Sequence, residues 1–192
     1  MYTTAEMLWL LVEVVILVAI FIPTIIAFLT GAPWVPTPLP RVKRMLELAE
    51  IKPGDRVYDL GCGDGRLVHL AAKDYGADAV GIELSPLVYL WARIRNFILR
   101  SKSKILLRDF RKISYANAQM LVFYLLPNIL KILRPKFEKE LSPGTRVVSY
   151  AFEIEGWEPV YTEPRIREKS YGRIFVYEVP KSIYPNGTEA KK

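Results

Sequence analysis

Residues 57–67 read VYDLGCGDGRL, with Gly61, Gly63 and Gly65 at alternating positions. An apolar stretch delivers Asp59 to this loop, and a helical pattern follows it. Glycines at such spacing let a ligand approach the backbone closely, and they free the N–H groups of the helix start to meet it. Glu83 closes the next apolar stretch, AVGIEL (79–84), where a carboxylate can accept both hydroxyls of a ribose. Asp109 follows a third, KILLR (104–108). Each of these three strands ends in a polar group at its carboxyl edge, where open α/β sheets bind ligands. A glycine loop alone is a weak signal; with Glu83 and Asp109 in register it is a strong one. A dinucleotide fingerprint would place its third glycine at position 66, which is Arg66 here, so the spacing departs from the NAD pattern. The chain is also too short for a separate substrate domain.

Strands alternating with helices must position this loop. RVKRMLELAE (41–50) has a helical face of Val42, Met45, Leu46 and Ala49, and KPGD makes a turn. RLVHLAAKDYG is a helix ended by Gly76, and SPLVYLWARIRNFILR opens with Ser85 as N-cap and Pro86 at the first helical position. QMLVFYLL (119–126) reads as a fourth strand and TRVVSYAF (145–152) as a fifth, separated by NILKILRPKFEKEL, a helix broken at Pro135. YGRIFVYEV (171–179) pairs with a strand near residues 159–162 as an antiparallel edge hairpin. The expected fold class is α/β, a covered, mostly parallel sheet of Rossmann-like type.

The chain has 192 residues, 51% hydrophobic, with a net charge of +7. Its mean hydropathy of +0.14 is high for a soluble protein. The basic balance suits nucleic acid or anionic lipid headgroups. One cysteine, Cys62, excludes an intrachain disulfide and fits a reducing compartment. Residues 7–29, MLWLLVEVVILVAIFIPTIIAFL, hold Glu13 as their only charge and are long enough to span a bilayer. Pro23 would kink the helix but is tolerated in membranes. A cleaved signal peptide is the alternative; an n-region without Lys or Arg, the length of the run and Pro33 after Ala32 speak against it. Arg41, Lys43 and Arg44 follow the run and no basic residue precedes it, so the positive-inside rule places the C-terminal domain in the cytoplasm. Glu13 is expected near an end of the span or against a partner helix. GAPWVPTPLP (31–40) is a stiff, proline-rich link. The expected organisation is a transmembrane helix over 1–30, this link over 31–40, a domain over 41–180 and a disordered tail over 181–192.

VYDLGCGDGRL, GIELSP (81–86) and RDF (108–110) together resemble class I, seven-stranded S-adenosylmethionine-dependent methyltransferases: their first motif, their acidic second strand and their adenine-contacting loop. PWVPTP (33–38), GCGDGR, LLPN (125–128), LRPKFEKELSPGTRVVS (133–149) and FEIEGW (152–157) are similar to one branch of that class. The branch includes archaeal broad-specificity protein-lysine methyltransferases and the mitochondrial enzymes acting on the ATP synthase c-subunit and the adenine nucleotide translocase. The likeness spans about residues 33–179; the short basic stretch 163–173 departs from it. The resemblance implies a seven-stranded methyltransferase sheet, S-adenosyl-L-methionine as cofactor, and a protein substrate presenting a lysine, membrane proteins included. It implies cofactor contacts from Asp59, Gly61, Cys62, Gly63, Asp64, Gly65, Glu83, Leu84, Asp109, Phe110 and Leu125. It also makes the proline-rich link a lid, with Trp34, Val35, Pro36 and Thr37 over the cofactor; a plain spacer is the alternative.

Methyl transfer to lysine needs a neutral amine, which burial and a nearby positive sulfonium both favour. The protein's task is then positioning and desolvation. Tyr124, Trp34 and Phe152 are the candidate aromatic walls for an alkylammonium, and Glu153 a candidate to orient it, against the reading of Glu153 as a strand-end surface charge. His69 reads as packed or surface, Cys62 as a small residue in a tight loop, and no spacing suggests a metal site. Arg93, Arg95, Arg100, Lys102, Lys104, Arg108, Arg111 and Lys112 form a basic cluster: a solvated face, or one that meets an anionic membrane surface. Nucleic acid ranks third, because the fourth strand ends in YLLPN and not in the (D/N)PP(Y/F) signature that amino-methyltransferases of bases resemble. Three functions follow in order: a membrane-anchored protein-lysine N-methyltransferase, a lipid or small-molecule N-methyltransferase, and a non-catalytic cofactor-binding or scaffold protein.

Overall fold

The computed structural model describes residues 3–29 and 35–183. One sheet carries the domain, in the order β3-β2-β1-β4-β5-β7-β6. β1 (Arg56–Leu60), β2 (Asp78–Glu83), β3 (Lys104–Leu107), β4 (Met120–Phe123) and β5 (Arg146–Tyr150) are parallel, and β7 (Ile174–Glu178) enters antiparallel between β5 and β6 (Tyr161–Glu163). The strand order reverses between β1 and β4, and the glycine loop leaves β1 at that switch point, where such sheets form their ligand crevice.

Strand pleating sends alternate residues to opposite faces, and each face has its own core. α2 (Leu39–Ala49) and α3 (Arg66–Asp74) cover Val57, Ala79, Met120, Val122 and Val148. On the other face α5 (Pro127–Glu140) covers Leu60, Ile82, Leu121, Phe123 and Tyr177. α4 (Pro86–Ile98) adds only Ala92 to the buried set. After β3 the chain makes just a single 3₁₀ turn, Phe110–Lys112, before returning to β4.

The structure moves several expected boundaries. α5 runs unbroken through Pro135, because Ile129, Leu130, Leu133 and Phe137 are buried on both sides of it. One lost backbone donor costs less than separating those turns from the sheet. α2 begins at Leu39, so the last two residues of the proline-rich link are its first turn, a place proline tolerates. Lys181 and Ser182 form a turn with Ile183 in which Ser182 is buried, so the ordered chain reaches past 180; residues 184–192 lie outside the described residues. The edge strands are shorter than the sequence suggests, β6 starting at Tyr161 and β7 at Ile174.

α1 (Thr4–Leu29) is a single helix through Pro23, and Thr4–Ile22 is apolar and long enough to cross a membrane, with a mean hydropathy of 2.5. Glu13 falls in the middle of that stretch and is exposed, not near an end. α1 packs against α4.

The loop after β1 depends on a close approach in β2. A Cβ at Gly81 would meet Cys62 Sγ at 2.7 Å and Cys62 Cβ at 2.9 Å. Cys62 is therefore the small residue the loop needs, and its thiol is pushed up by burial and by Asp59, Glu83 and Asp64. Gly81→Ala is expected to cost about 1–3 kcal/mol by overpacking. A lowered melting temperature, with S-adenosylmethionine affinity reduced alongside, would show it; an unchanged melting curve would refute the packing argument.

Candidate active site

Backbone bonds tie the glycine loop to β2: Gly61 N–H and Cys62 N–H both donate to Ile82 O, at 2.9 and 3.0 Å. Gly63, at φ 57°, turns its N–H to Glu83 Oε2 at 3.0 Å. Leu84 and Ser85 donate to Glu83 Oε1, both at 2.9 Å. Glu83 is thus buried, aimed and held by three donors before any ligand arrives. Burial raises its pKa, and the bonds from Ser85, Gly63 and Leu84 work against that rise.

Asp59, Asp64 and Glu83 line one narrow cleft. Its walls include Val35, Pro36 and Thr37 of the link, Met45 of α2, and Tyr124 and Leu125 beyond β4. The free space is about 50 Å³, well below the roughly 300 Å³ of a small-molecule pocket. The cleft is thus nearly closed, with residues 35–37 forming part of its wall. Arg66 holds it: Nη1 donates to Thr37 O at 3.0 Å while Nε and Nη2 bind Asp64 at 2.9 and 3.0 Å. Asp59, fully buried, is pushed up to about 8 by desolvation and by the charges of Glu83 and Asp64. Three carboxyl groups sharing a dry cleft disfavour one another's ionisation and favour a ligand that brings positive charge.

Beyond Tyr124 lies a wider cavity of about 680 Å³, lined by Tyr150, Phe152, Glu153, Arg165 and Arg173 among others. Tyr124 lines both spaces. Its ring meets Tyr150 edge-on at 5.0 Å and stacks on Phe152 at 6.2 Å, inclined by 23°. Burial, then Tyr150, raises its hydroxyl pKa, so the group stays protonated at neutral pH.

Residues 59–161, more than half of the chain, match the ANTKMT methyltransferase domain. The chain belongs to the ANTKMT methyltransferase family. A protein-lysine N-methyltransferase of Saccharolobus islandicus is 43% identical over 136 residues, which is 69% of this chain and 84% of that one. The adenine nucleotide translocase lysine N-methyltransferase of Mus musculus is 33% identical over 150 residues, 77% of this chain and 63% of that one. A solved RNA methyltransferase from Salinibacter ruber, in complex with S-adenosyl-L-homocysteine, is similar in fold with a TM-score of 0.73 and 36% identity, covering 81% of this chain and 100% of that one. This ANTKMT-family chain is an S-adenosylmethionine-dependent methyltransferase, which sets aside the non-catalytic reading.

The cleft suits that cofactor on its own chemistry. Glu83 would present a fixed carboxylate to ribose hydroxyls, the glycine loop would allow close backbone approach, and Asp59 and Asp64 would answer the positive charges. When bound, S-adenosylmethionine supplies a methyl group on a sulfonium, activated for in-line transfer. Asp59 is protonated below about 8 in the free protein, so a cationic ligand expels its proton on binding. Affinity is therefore expected to rise with pH towards 8, by at most about tenfold per unit for one proton. Calorimetry from pH 6 to 8 measures the slope, and Asp59→Asn flattens it. A slope unchanged in that variant would remove Asp59 from the account.

Of the residues named from sequence, Val35, Pro36, Thr37, Asp59, Gly61, Cys62, Gly63, Asp64, Glu83, Tyr124 and Leu125 line this one cleft. Phe152 and Glu153 stand in the wider cavity, Glu153 exposed at its rim. Gly65 sits behind the loop as N-cap of α3, and Leu84 contributes its N–H to Glu83. Asp109 and Phe110 do not line the cleft. Burial would raise Asp109, but hydrogen bonds from Arg111, one at 2.8 Å, hold it low. Phe110 is packed in the core. Trp34 lies outside the described residues. His69 is packed on α3, and burial, then Arg95 and Lys73, lower its pKa. Met45 and Arg66 were missed as site residues. Met45 carried only the signal of a core helix face, and Arg66 only that of an absent glycine.

Proposed function

We propose that this chain is a membrane-anchored protein-lysine N-methyltransferase whose domain faces the cytoplasm and acts on lysines of membrane or membrane-associated proteins. Tyr124 carries the reading. It stands between the narrow cofactor cleft and a cavity large enough for a substrate side chain, within an aromatic group that includes Tyr150 and Phe152. A lysine entering there sheds water against aromatic faces, which disfavours its charged form, while the rings still attract whatever cationic form arrives. Val35, Pro36 and Thr37 support the lid reading of the link, and Trp34 is proposed to join them. The adenine contact proposed for Asp109 and Phe110 requires the Asp109–Arg111 pair to open, since neither residue lines the cleft. α1 supports the anchor by length and composition.

Tyr124→Ala is expected to lower kcat roughly 10- to 100-fold through lost positioning, and Tyr124→Phe to keep most of it. Unimpaired turnover in the alanine variant would remove Tyr124 from the site. The likeness to a solved RNA methyltransferase favours a second reading, an RNA substrate. The full chain with radiolabelled S-adenosylmethionine and a membrane extract separates these. Label in methyl-lysine supports the proposal; label in RNA or in lipid replaces it.

A further inference from the structure

α4 is turned inside out for a soluble helix. Ala92 is its one buried residue, and Leu87, Leu90, Trp91, Ile94, Phe97 and Ile98 form an outward stripe along its whole length. Phe97 is 84% exposed, Ile98 69% and Trp91 52%. Single exposed apolar residues are ordinary; a continuous stripe with two aromatics marks a contact surface. Its surroundings are basic. Arg93, Arg100 and Lys102 are exposed and make no ion pair among the described residues, and residues 85–108 contain no acid. Finally, α1, the helix apolar enough to cross a bilayer, packs against α4.

We propose that the outer face of α4 lies in the headgroup–acyl boundary of an anionic bilayer, beside the point where α1 enters it. The inference rests on the membrane-anchored reading and adds where the domain sits on the surface. An amphipathic helix with basic flanks binds the interface by apolar burial and by attraction to anionic lipid. α4 is about 20 Å long at 1.5 Å per residue, and its stripe runs end to end, so the helix lies flat. α4 starts immediately after Glu83, Leu84 and Ser85, at the cleft end of the sheet. With α4 flat, the cleft opens along the membrane plane, towards lysines at headgroup level.

The test uses the full chain in nanodiscs of phosphatidylcholine, with and without phosphatidylglycerol. A fluorophore is placed at Phe97→Cys or, as control on the opposite layer, at Lys139→Cys; buried Cys62 is left in place. Each labelled variant is first shown to bind S-adenosylmethionine, so that folding is not in question. Nitroxide lipids are expected to quench the label at position 97 at least about threefold more than at 139, with a larger loss in anionic discs. Equal quenching at both positions in chain that co-purifies with lipid overturns this inference and leaves the anchor standing. Proximity between labels at position 97 of two copies, in lipid-free detergent, overturns it by showing a second copy on that face. Chain that does not associate with lipid at all overturns the anchored reading itself.

Discussion

Glu83→Ala raises the dissociation constant for S-adenosylmethionine by about 100-fold or more. Glu83 accepts from Gly63, Leu84 and Ser85, and in the proposed site its carboxylate receives the ribose hydroxyls. A hydrogen bond to a charged group contributes about 1.5–3 kcal/mol, and losing two exceeds the roughly 2.7 kcal/mol that separates 100-fold in affinity. The alanine variant also leaves three backbone donors facing a dry space, so the glycine loop loses the shape that admits the ligand. Glu83→Gln keeps an acceptor but turns an amide N–H₂ towards one of those donors, and it falls between the two. Calorimetric titration reads both variants. An alanine variant that binds within about threefold of the parent would place the ribose elsewhere.

Glu163→Ala destabilises the domain by about 3 kcal/mol. Glu163, on the edge strand, binds Arg41 at 3.2 Å and Arg44 at 2.8 Å, both on α2. Arg41 is 2% exposed, and its Nε has no partner among the described residues. Removing one member of a buried pair costs about 3–5 kcal/mol because the other is left charged and unpaired. The lower end applies, since Arg41 Nη2 still donates to Gly172 O at 2.8 Å. The melting temperature falls by roughly 10 °C at this size. The same clamp joins the helix that follows the cleft wall at residues 35–37 to the segment that lends Arg165 and Arg173 to the wider cavity. Both the S-adenosylmethionine affinity and the KM for substrate are therefore expected to worsen, whereas a purely remote stability loss would leave them unchanged at low temperature. Glu163→Gln restores part of the melting temperature.

The sequence carried the sheet because its strands and turns are written locally. Short apolar runs between helical patterns located the strands to within a few residues, and the acid at the end of β2 marked Glu83. Pro135 misled because a local rule was applied where packing decides: α5 keeps its helix by burying residues on both sides of the proline. Asp109 ends its strand as Glu83 does, and its pairing with Arg111, two residues away, is a contact that spacing alone does not reveal.

By itself, then, the sequence carried the glycine loop after the first apolar strand, the acid that ends the second strand, the apolar stretch 7–29 and, through motif resemblance, the methyltransferase family. The first three follow from local periodicity, length or turn chemistry, whereas the family rests on the resemblance of motifs spread over residues 33–179. Tertiary structure alone decided the rest. It set Arg66 on Thr37, 29 residues away, and Arg41 on Glu163, 122 residues away. It made Tyr124 a wall of two cavities and turned the apolar face of α4 outward. Those relations depend on how helices pack across a twisted sheet, and a one-dimensional pattern has no term for a distance between residues that only folding brings together.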